Sequence, residues 1–181
     1  VSFTGSTGIG KHIMKRGADT VKKVFLELGG KSAHIILDDA DINFAAFMCI
    51  SVCFNAGQDY ALATRLLAPR SHYEKIVEVA KNTFDSVKLG DPLSREQFMG
   101  PLVNKRQQQR VLQYIEQGKA EGARLVCGGV VPAGLEQGCY VAPTIFADVR
   151  NDMTIAQEEI FGPVLCIIPY DTEEEAIQIA N

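Results

Sequence analysis

Four short segments of this chain set glycines, carboxylates, amides and aromatic side chains at spacings that can do chemistry. The first is Phe3-Thr-Gly-Ser-Thr-Gly-Ile-Gly-Lys11. Its glycines let the backbone come close to a ligand, and the free N–H groups of a helix start favour an anion such as a pyrophosphate. The order is G-x-x-G-x-G, which serves a plain strand-to-helix turn equally well. The second is Leu26-Glu-Leu-Gly-Gly-Lys-Ser32, where Glu27 ends an apolar run before two glycines. A carboxylate at the carboxyl end of a strand faces the crevice where α/β proteins bind ligands, and there it can act as a general base or stay simply solvated. The third is Phe54-Asn-Ala-Gly-Gln-Asp-Tyr60. The fourth, Gln157-Glu-Glu-Ile-Phe-Gly-Pro163, sets two carboxylates beside an aromatic ring ahead of a Gly-Pro break. Carboxylate hydrogen bonds could hold a ribose there and apolar contact a ring, or the segment could be an ordinary strand entry.

The elements that must position these segments alternate short apolar runs with longer amphipathic ones. Strands are expected at Val1 to Thr4, Val24 to Leu28, His34 to Leu37, Arg65 to Pro69, Arg124 to Cys127, within Val141 to Val149, and from Val164 to Ile168. A helix follows the first glycine segment to about Ala18. Asp41 is expected to cap the next helix, which carries Ile42, Ala45, Ala46, Cys49, Ile50, Cys53 and Phe54 on one side and stops near Gly57. Ser71 is expected to cap a helix from about Tyr73 to Val87, and a polar helix with a narrow apolar stripe runs from Asn104 to Glu121. Thr172 and Glu175 form a capping box for the last helix. Strands alternating with helices in this way predict an α/β fold with a mostly parallel sheet.

Composition narrows the classes of function. The chain has 181 residues, 46% hydrophobic and 22% charged, with a net charge of −4. That balance suits an ordinary globular protein and gives no reason to expect nucleic acid or an acidic membrane as partner. No apolar run approaches the roughly 20 residues that span a bilayer. Val1 opens a strand and no basic stretch precedes an apolar one, so no signal peptide is expected. The chain starts without Met and ends at Asn181 inside a helical pattern, and both ends are expected to be cut points in a longer chain. Five cysteines (Cys49, Cys53, Cys127, Cys139 and Cys166) are irregularly spaced and form no CxxC pair. They read as thiols in a reducing cytosol, with a metal site or disulfide framework as the alternative.

Taken in order, the four segments resemble the aldehyde dehydrogenase superfamily. Its F-T-G-S-T-x-x-G motif is matched by Phe3 to Gly10, its E-L-G-G-K-S by Glu27 to Ser32, and its E-E-x-F-G-P by Glu158 to Pro163. Its N-x-G-Q-x-C is matched by Asn55 to Gln58, with Asp59 at the variable position and Tyr60 where the family has cysteine. Leu37 to Asp41, Gly90-Asp-Pro92, Gly100-Pro-Leu102 and Ala142-Pro-Thr144 fit as well. The resemblance covers essentially the whole chain. It implies that residues 1–28 are the last βα unit and strand of a Rossmann-like cofactor domain, and that residues 29–181 are most of a catalytic domain.

The resemblance also implies a mechanism. A cysteine thiolate attacks an aldehyde, hydride leaves to the nicotinamide of NAD or NADP, and water activated by a glutamate hydrolyses the thioester. That glutamate matches Glu27. Gly5, Ser6 and Gly10 fall in the segment near the cofactor phosphates, Leu28 near the nicotinamide, and Glu159 and Phe161 at the pair that touches the nicotinamide ribose and ring. A homo-oligomer and a cytoplasmic location are implied for the whole protein, with an aldehyde as its small-molecule partner. Tyr60 breaks the scheme. A thiol titrates near about 8.5 and its thiolate is a strong nucleophile, while a phenol titrates near about 10 and is bulky. Cys53 lies seven residues earlier, about two helical turns or roughly 10 Å along an axis, at a position that reads as core. The expected activity of this chain as a dehydrogenase is therefore nil, and a non-catalytic binding or structural subunit on the same fold is the other reading.

Overall fold

A computed structural model describes all 181 residues and divides them into two compact units, Val1–Gly30 and Lys31–Asn181. The division falls after Gly30, where the sequence places it after Leu28.

The first unit is one β-α-β element. Strand β1 (Ser2–Gly5) leads into helix α1 (Thr7–Ala18) and then strand β2 (Phe25–Leu28). The strands pair in parallel, with Ser2 opposite Phe25 and Gly5 opposite Leu28. Helix α1 packs closely because Gly10 has no side chain: a Cβ there would lie 2.5 Å from Leu28 Cδ2. Lys15 and Arg16 stand in its last turn, where cations complement the helix dipole.

The second unit is built on a five-stranded sheet in the order β3-β4-β7-β6-β5. Its strands are β3 (Ala33–Ile35), β4 (Arg65–Pro69), β5 (Arg124–Cys127), β6 (Thr144–Ala147) and β7 (Val164–Tyr170). The central strands are buried on both faces, which is why Leu66-Leu-Ala68 and Val164-Leu-Cys-Ile-Ile168 read as unbroken apolar runs. All pairings are parallel except β5 with β6. That reversal follows from the connection: Gly128 and Gly129 open a helix-free loop, which permits an antiparallel neighbour, whereas a parallel one needs a long crossover. Helix α3 (Tyr73–Asp85) contributes Ile76, Ala80 and Phe84 to the core, and helix α4 (Lys105–Ala120) contributes Val111 and Ile115. Each buried aliphatic side chain stabilises the fold by about 1.5–3 kcal/mol.

Three local expectations need correcting. The helix capped by Asp41 does form, and its carboxylate accepts from the N–H groups of Asn43 and Phe44. However, only Ile42–Phe47 (α2) is α-helical; Met48–Gly57 winds as a 3₁₀ helix broken at Phe54. Residues three apart fall on one side in either winding, so an apolar repeat that includes that spacing does not by itself exclude a 3₁₀ helix. Ser71 does not cap α3. Its hydroxyl donates to Asp38 Oδ1 at 2.6 Å, and the cap position belongs to His72, which makes no capping bond. In the last helix, α6 (Glu173–Ala180), Thr172 Oγ1 accepts from Glu175 N as a capping box requires. The return bond is displaced by one residue: Asp171 N, not Thr172 N, donates to Glu175.

Buried Arg65 ties the unit together. Its Nε donates to the carbonyl of Lys31 at 2.8 Å, and its two terminal nitrogens donate to the carbonyls of Ile179 and Ala180 at 2.7 and 2.9 Å. These are end-of-helix carbonyls of α6, which have no partner within the helix. No helix is long and apolar enough to cross a membrane.

Candidate active site

Two of the four chemical segments meet in the second unit. Asn55, Ala56 and Gly57 take left-handed backbone angles in succession, with φ of 50°, 55° and 73°. Phe161, in the partner loop, has φ 60°. Left-handed backbone costs roughly 1–2 kcal/mol for each residue that carries a Cβ, and such strain gathers where a site needs a particular shape. The reason for the shape is visible at Gly57. A Cβ there would lie 2.1 Å from the carbonyl carbon and oxygen of Gly162, so the two loops touch backbone to backbone. Gly162 in turn faces Val111 of α4, whose Cγ2 would lie 2.4 Å from an added Cβ.

Side chains fasten both loops. Gln58 donates through Nε2 to the carbonyl of Asn55 and accepts through Oε1 from Val103 N, each at 2.9 Å. From α4, Gln107 Nε2 donates to the carbonyls of Ile160 and Phe161 at 3.2 and 2.8 Å, and Arg110 Nη2 donates to the carbonyl of Glu159 at 2.9 Å. Just upstream, the short helix α5 (Thr154–Gln157) is held by Glu121, which accepts from Thr154 N at 2.8 Å and Thr154 Oγ1 at 2.5 Å. Burial works against the Glu121 charge, but bonds from Gln117 and Thr154 outweigh it and hold the carboxyl below its ordinary value.

The fastened backbone leaves the side chains of the candidate residues free. Glu159 is half-buried, and its carboxylate makes no hydrogen bond or ion pair. Phe161 is 38% exposed, and Tyr60, in the turn that follows Gln58, is 60% exposed. Cys53 is wholly buried, and burial pushes its thiol far above the ordinary range. Cys49 is likewise pushed up to about 12 by burial. Neither is a usable nucleophile at neutral pH. All five cysteines are free thiols.

Glu27, Gly5, Ser6, Gly10 and Leu28 belong to the first unit. Glu27 is exposed on β2, opposite Thr4. Ser6 stands at the N-cap of α1, and its side chain makes no capping bond to the first-turn N–H groups. Gly10 and Leu28 pack against each other, which gives both a role in joining helix to strand. Gly8 meets nothing within 4 Å, so the middle glycine of the turn is not demanded by packing.

Sequence reasoning assigned nothing to Lys31, Gln107, Arg110 or Glu121. Gln107 and Arg110 are three residues apart on one face of a polar helix, a spacing that presents two donors together. Nothing local marks which loop they reach. Lys31 sits inside a recognised segment, yet only the packed structure reveals that its amine is buried with no partner.

Comparison with known proteins extends this picture. The family model described as "Aldehyde dehydrogenase family" matches residues 1–181. A 3-succinoylsemialdehyde-pyridine dehydrogenase from a Pseudomonas species is 49% identical over 183 aligned residues, covering all of this chain and 38% of the relative. A betaine aldehyde dehydrogenase from Brucella anthropi is 46% identical over 184 aligned residues, again covering all of this chain and 38% of the relative. Among solved structures, an aldehyde dehydrogenase of Mycobacterium tuberculosis complexed with NAD+ superposes with a TM-score of 0.95 at 53% identity, covering 99% of this chain and 38% of that one. The NAD+ complex of a Bacillus cereus aldehyde dehydrogenase gives 0.96 at 49% identity, covering all of this chain and 37% of that one. The chain thus spans somewhat more than a third of the length of the proteins it matches, with the α/β fold of those structures. Motifs, topology and a match along its whole length agree: this chain belongs to the aldehyde dehydrogenase family.

Proposed function

We propose that the protein containing this chain belongs to the NAD-linked route from aldehyde to carboxylic acid, and that with Tyr60 it does not complete the thioester chemistry. The observation that carries the reading is the strained, fastened pair of loops 55–58 and 158–163, which touch at Gly57 and Gly162, leave Glu159 and Phe161 free, and lead on one side to position 60, where the resemblance puts the nucleophile. The names of the relatives support the reaction class, and the NAD+ bound in related structures supports the cofactor.

Each unit, taken by itself, offers groups suited to part of a dinucleotide. In the first unit, the uncapped start of α1 after Gly5 and Ser6 offers N–H groups to a phosphate. In the second, the unpartnered carboxylate of Glu159 can accept from ribose hydroxyls, and the exposed ring of Phe161 can lie against a nicotinamide. Bound nicotinamide would supply the two-electron acceptor for the aldehyde. Glu27, an exposed carboxylate at a strand end, would take a proton from the attacking water. A phenol at position 60 supplies neither the nucleophilicity nor the size of a thiolate, and the buried thiols of Cys49 and Cys53 do not replace it. A homo-oligomeric assembly and a cytoplasmic location are part of the same proposal.

The test is aldehyde-dependent NADH formation. The protein with Tyr60 is expected to give none above background, and Tyr60→Cys in the full-length chain is expected to restore turnover through a thioester. Turnover by the Tyr60 protein would overturn the reading of this residue. If Tyr60→Cys gains nothing but NAD still binds, the protein is a binding homologue rather than a silenced enzyme.

A further inference from the structure

The most anomalous polar atom in the molecule is Lys31 Nζ. It is buried and has no hydrogen-bond partner, the one side-chain nitrogen or oxygen in that condition. Native interiors leave few such groups, and an unmatched buried donor costs about 1–3 kcal/mol, more when charged. The amine is therefore placed for an acceptor. Its own backbone is already pinned, since the carbonyl of Lys31 accepts from Arg65 Nε. Three ionisable groups act on the amine: Cys166 on β7, Arg65 on β4 and Glu159 ahead of the Phe161 loop. Cys166 is held as a neutral thiol by burial, and its Sγ donates to the carbonyl of Ile155. Arg65 is itself a cation with its donors committed to four acceptors. Glu159 is the remaining group, an anion whose carboxylate is unpartnered while its backbone is fastened by Arg110.

We propose that Lys31 is the positioning partner of Glu159: in the working protein its buried amine donates to the Glu159 carboxylate and fixes that carboxylate's orientation toward a bound ribose. The proposal rests on the reading of Glu159 as a ribose-binding group. The two side chains lie outside ion-pair distance in this structure, so the contact requires the half-exposed Glu159 side chain to turn inward while Arg110 holds its carbonyl. Burial lowers the amine's affinity for a proton, and the Glu159 charge opposes that loss. The pairing therefore also favours the protonated amine. The carboxylate has two oxygens, so one can accept from Lys31 while the other accepts from a hydroxyl.

The test uses the full-length protein with three substitutions, Lys31→Met, Glu159→Gln and both together, and reads the dissociation constant for NAD+. Each single change is expected to weaken binding about tenfold, and the double change to be no weaker than the worse single one. Additive losses, or a Lys31→Met protein that binds as the parent does, would overturn the pairing. A second readout stands even if Lys31→Met fails to fold or the parent binds no NAD+. In protein carrying ¹³C at the lysine ε position, the Lys31 resonance should titrate at lower pH in Glu159→Gln than in the parent. An unmoved titration would mean that another group, such as one from outside residues 1–181, is the acceptor. Absence of NAD+ binding by the parent would instead count against the cofactor reading alone.

Discussion

Gly57 separates two reasons for a glycine that are usually confounded. Its φ of 73° costs any other residue about 1–2 kcal/mol, and its missing Cβ also makes room for the Gly162 carbonyl. Gly122 shares the first reason without the second, with φ 89° and nothing within 4 Å of an added Cβ. Gly122→Ala is therefore expected to lose only the conformational term. Gly57→Ala is expected to lose about 3 kcal/mol or more, because Gly162 is backed by Val111 and cannot retreat. Urea denaturation of the two variants measures the difference, and equal losses would mean that the two loops are not in contact. At this scale Tyr60 also takes its meaning. The strained backbone of Asn55, Ala56 and Gly57 leads directly to it, and on the proposed reading a bulky phenol stands there where a thiol would be needed.

Among the elements, α5 links fold to site, since its last residue, Gln157, precedes Glu158 and Glu159. Its four residues are too few to persist alone, and Glu121 supplies the cap by accepting from Thr154. The folded-state carboxyl of Glu121 sits below its ordinary value, so folding favours the ionised form. Its contribution is therefore complete above the ordinary glutamate range, about 4.3, and is lost as pH falls through the folded-state value. Glu121→Gln is expected to cost about 1 kcal/mol at neutral pH, the scale of a helix cap partly open to solvent. The gap between parent and variant should close as stability is followed from pH 6 toward about pH 3; a constant gap would show that the charge is irrelevant. This cap illustrates what the sequence could and could not disclose. Asp41 and Thr172 cap the helices that follow them within three residues, so both were legible. Glu121 caps a helix 33 residues away, and Ser71 spends its hydroxyl on Asp38, 33 residues before it. Neither leaves a local pattern. For the same reason the glycine, carboxylate and aromatic segments could be read as motifs, while the Gln107 and Arg110 bonds that hold one of them, 49 to 54 residues on, could not.

Across the whole molecule the two units differ in how they could hold themselves together. The second has a continuous core in which Leu66, Leu67, Ile145, Phe146, Leu165 and Ile167 are fully buried. The first has two short strands and one helix, and Gly10 is its only buried helical residue. Its larger apolar side chains are open to solvent, among them Val1, Ile9, Met14 and Phe25. A two-stranded sheet with so little covered surface is marginal in water. Its opening free energy should lie near the bottom of the range a protein spans, whereas β4 and β7 should open only with global unfolding. Native-state hydrogen exchange on this chain tests the contrast. The amide of Phe25, which donates to the Val1 carbonyl, should exchange several orders of magnitude faster than that of Cys166, which donates to the Thr64 carbonyl. Comparable protection at the two sites would mean that residues 1–30 are stabilised by something other than their own packing. Repeating the exchange on a full-length protein gives the complementary result: if residues 1–30 are part of a larger cofactor domain, protection at Phe25 should rise there while that at Cys166 stays as it is.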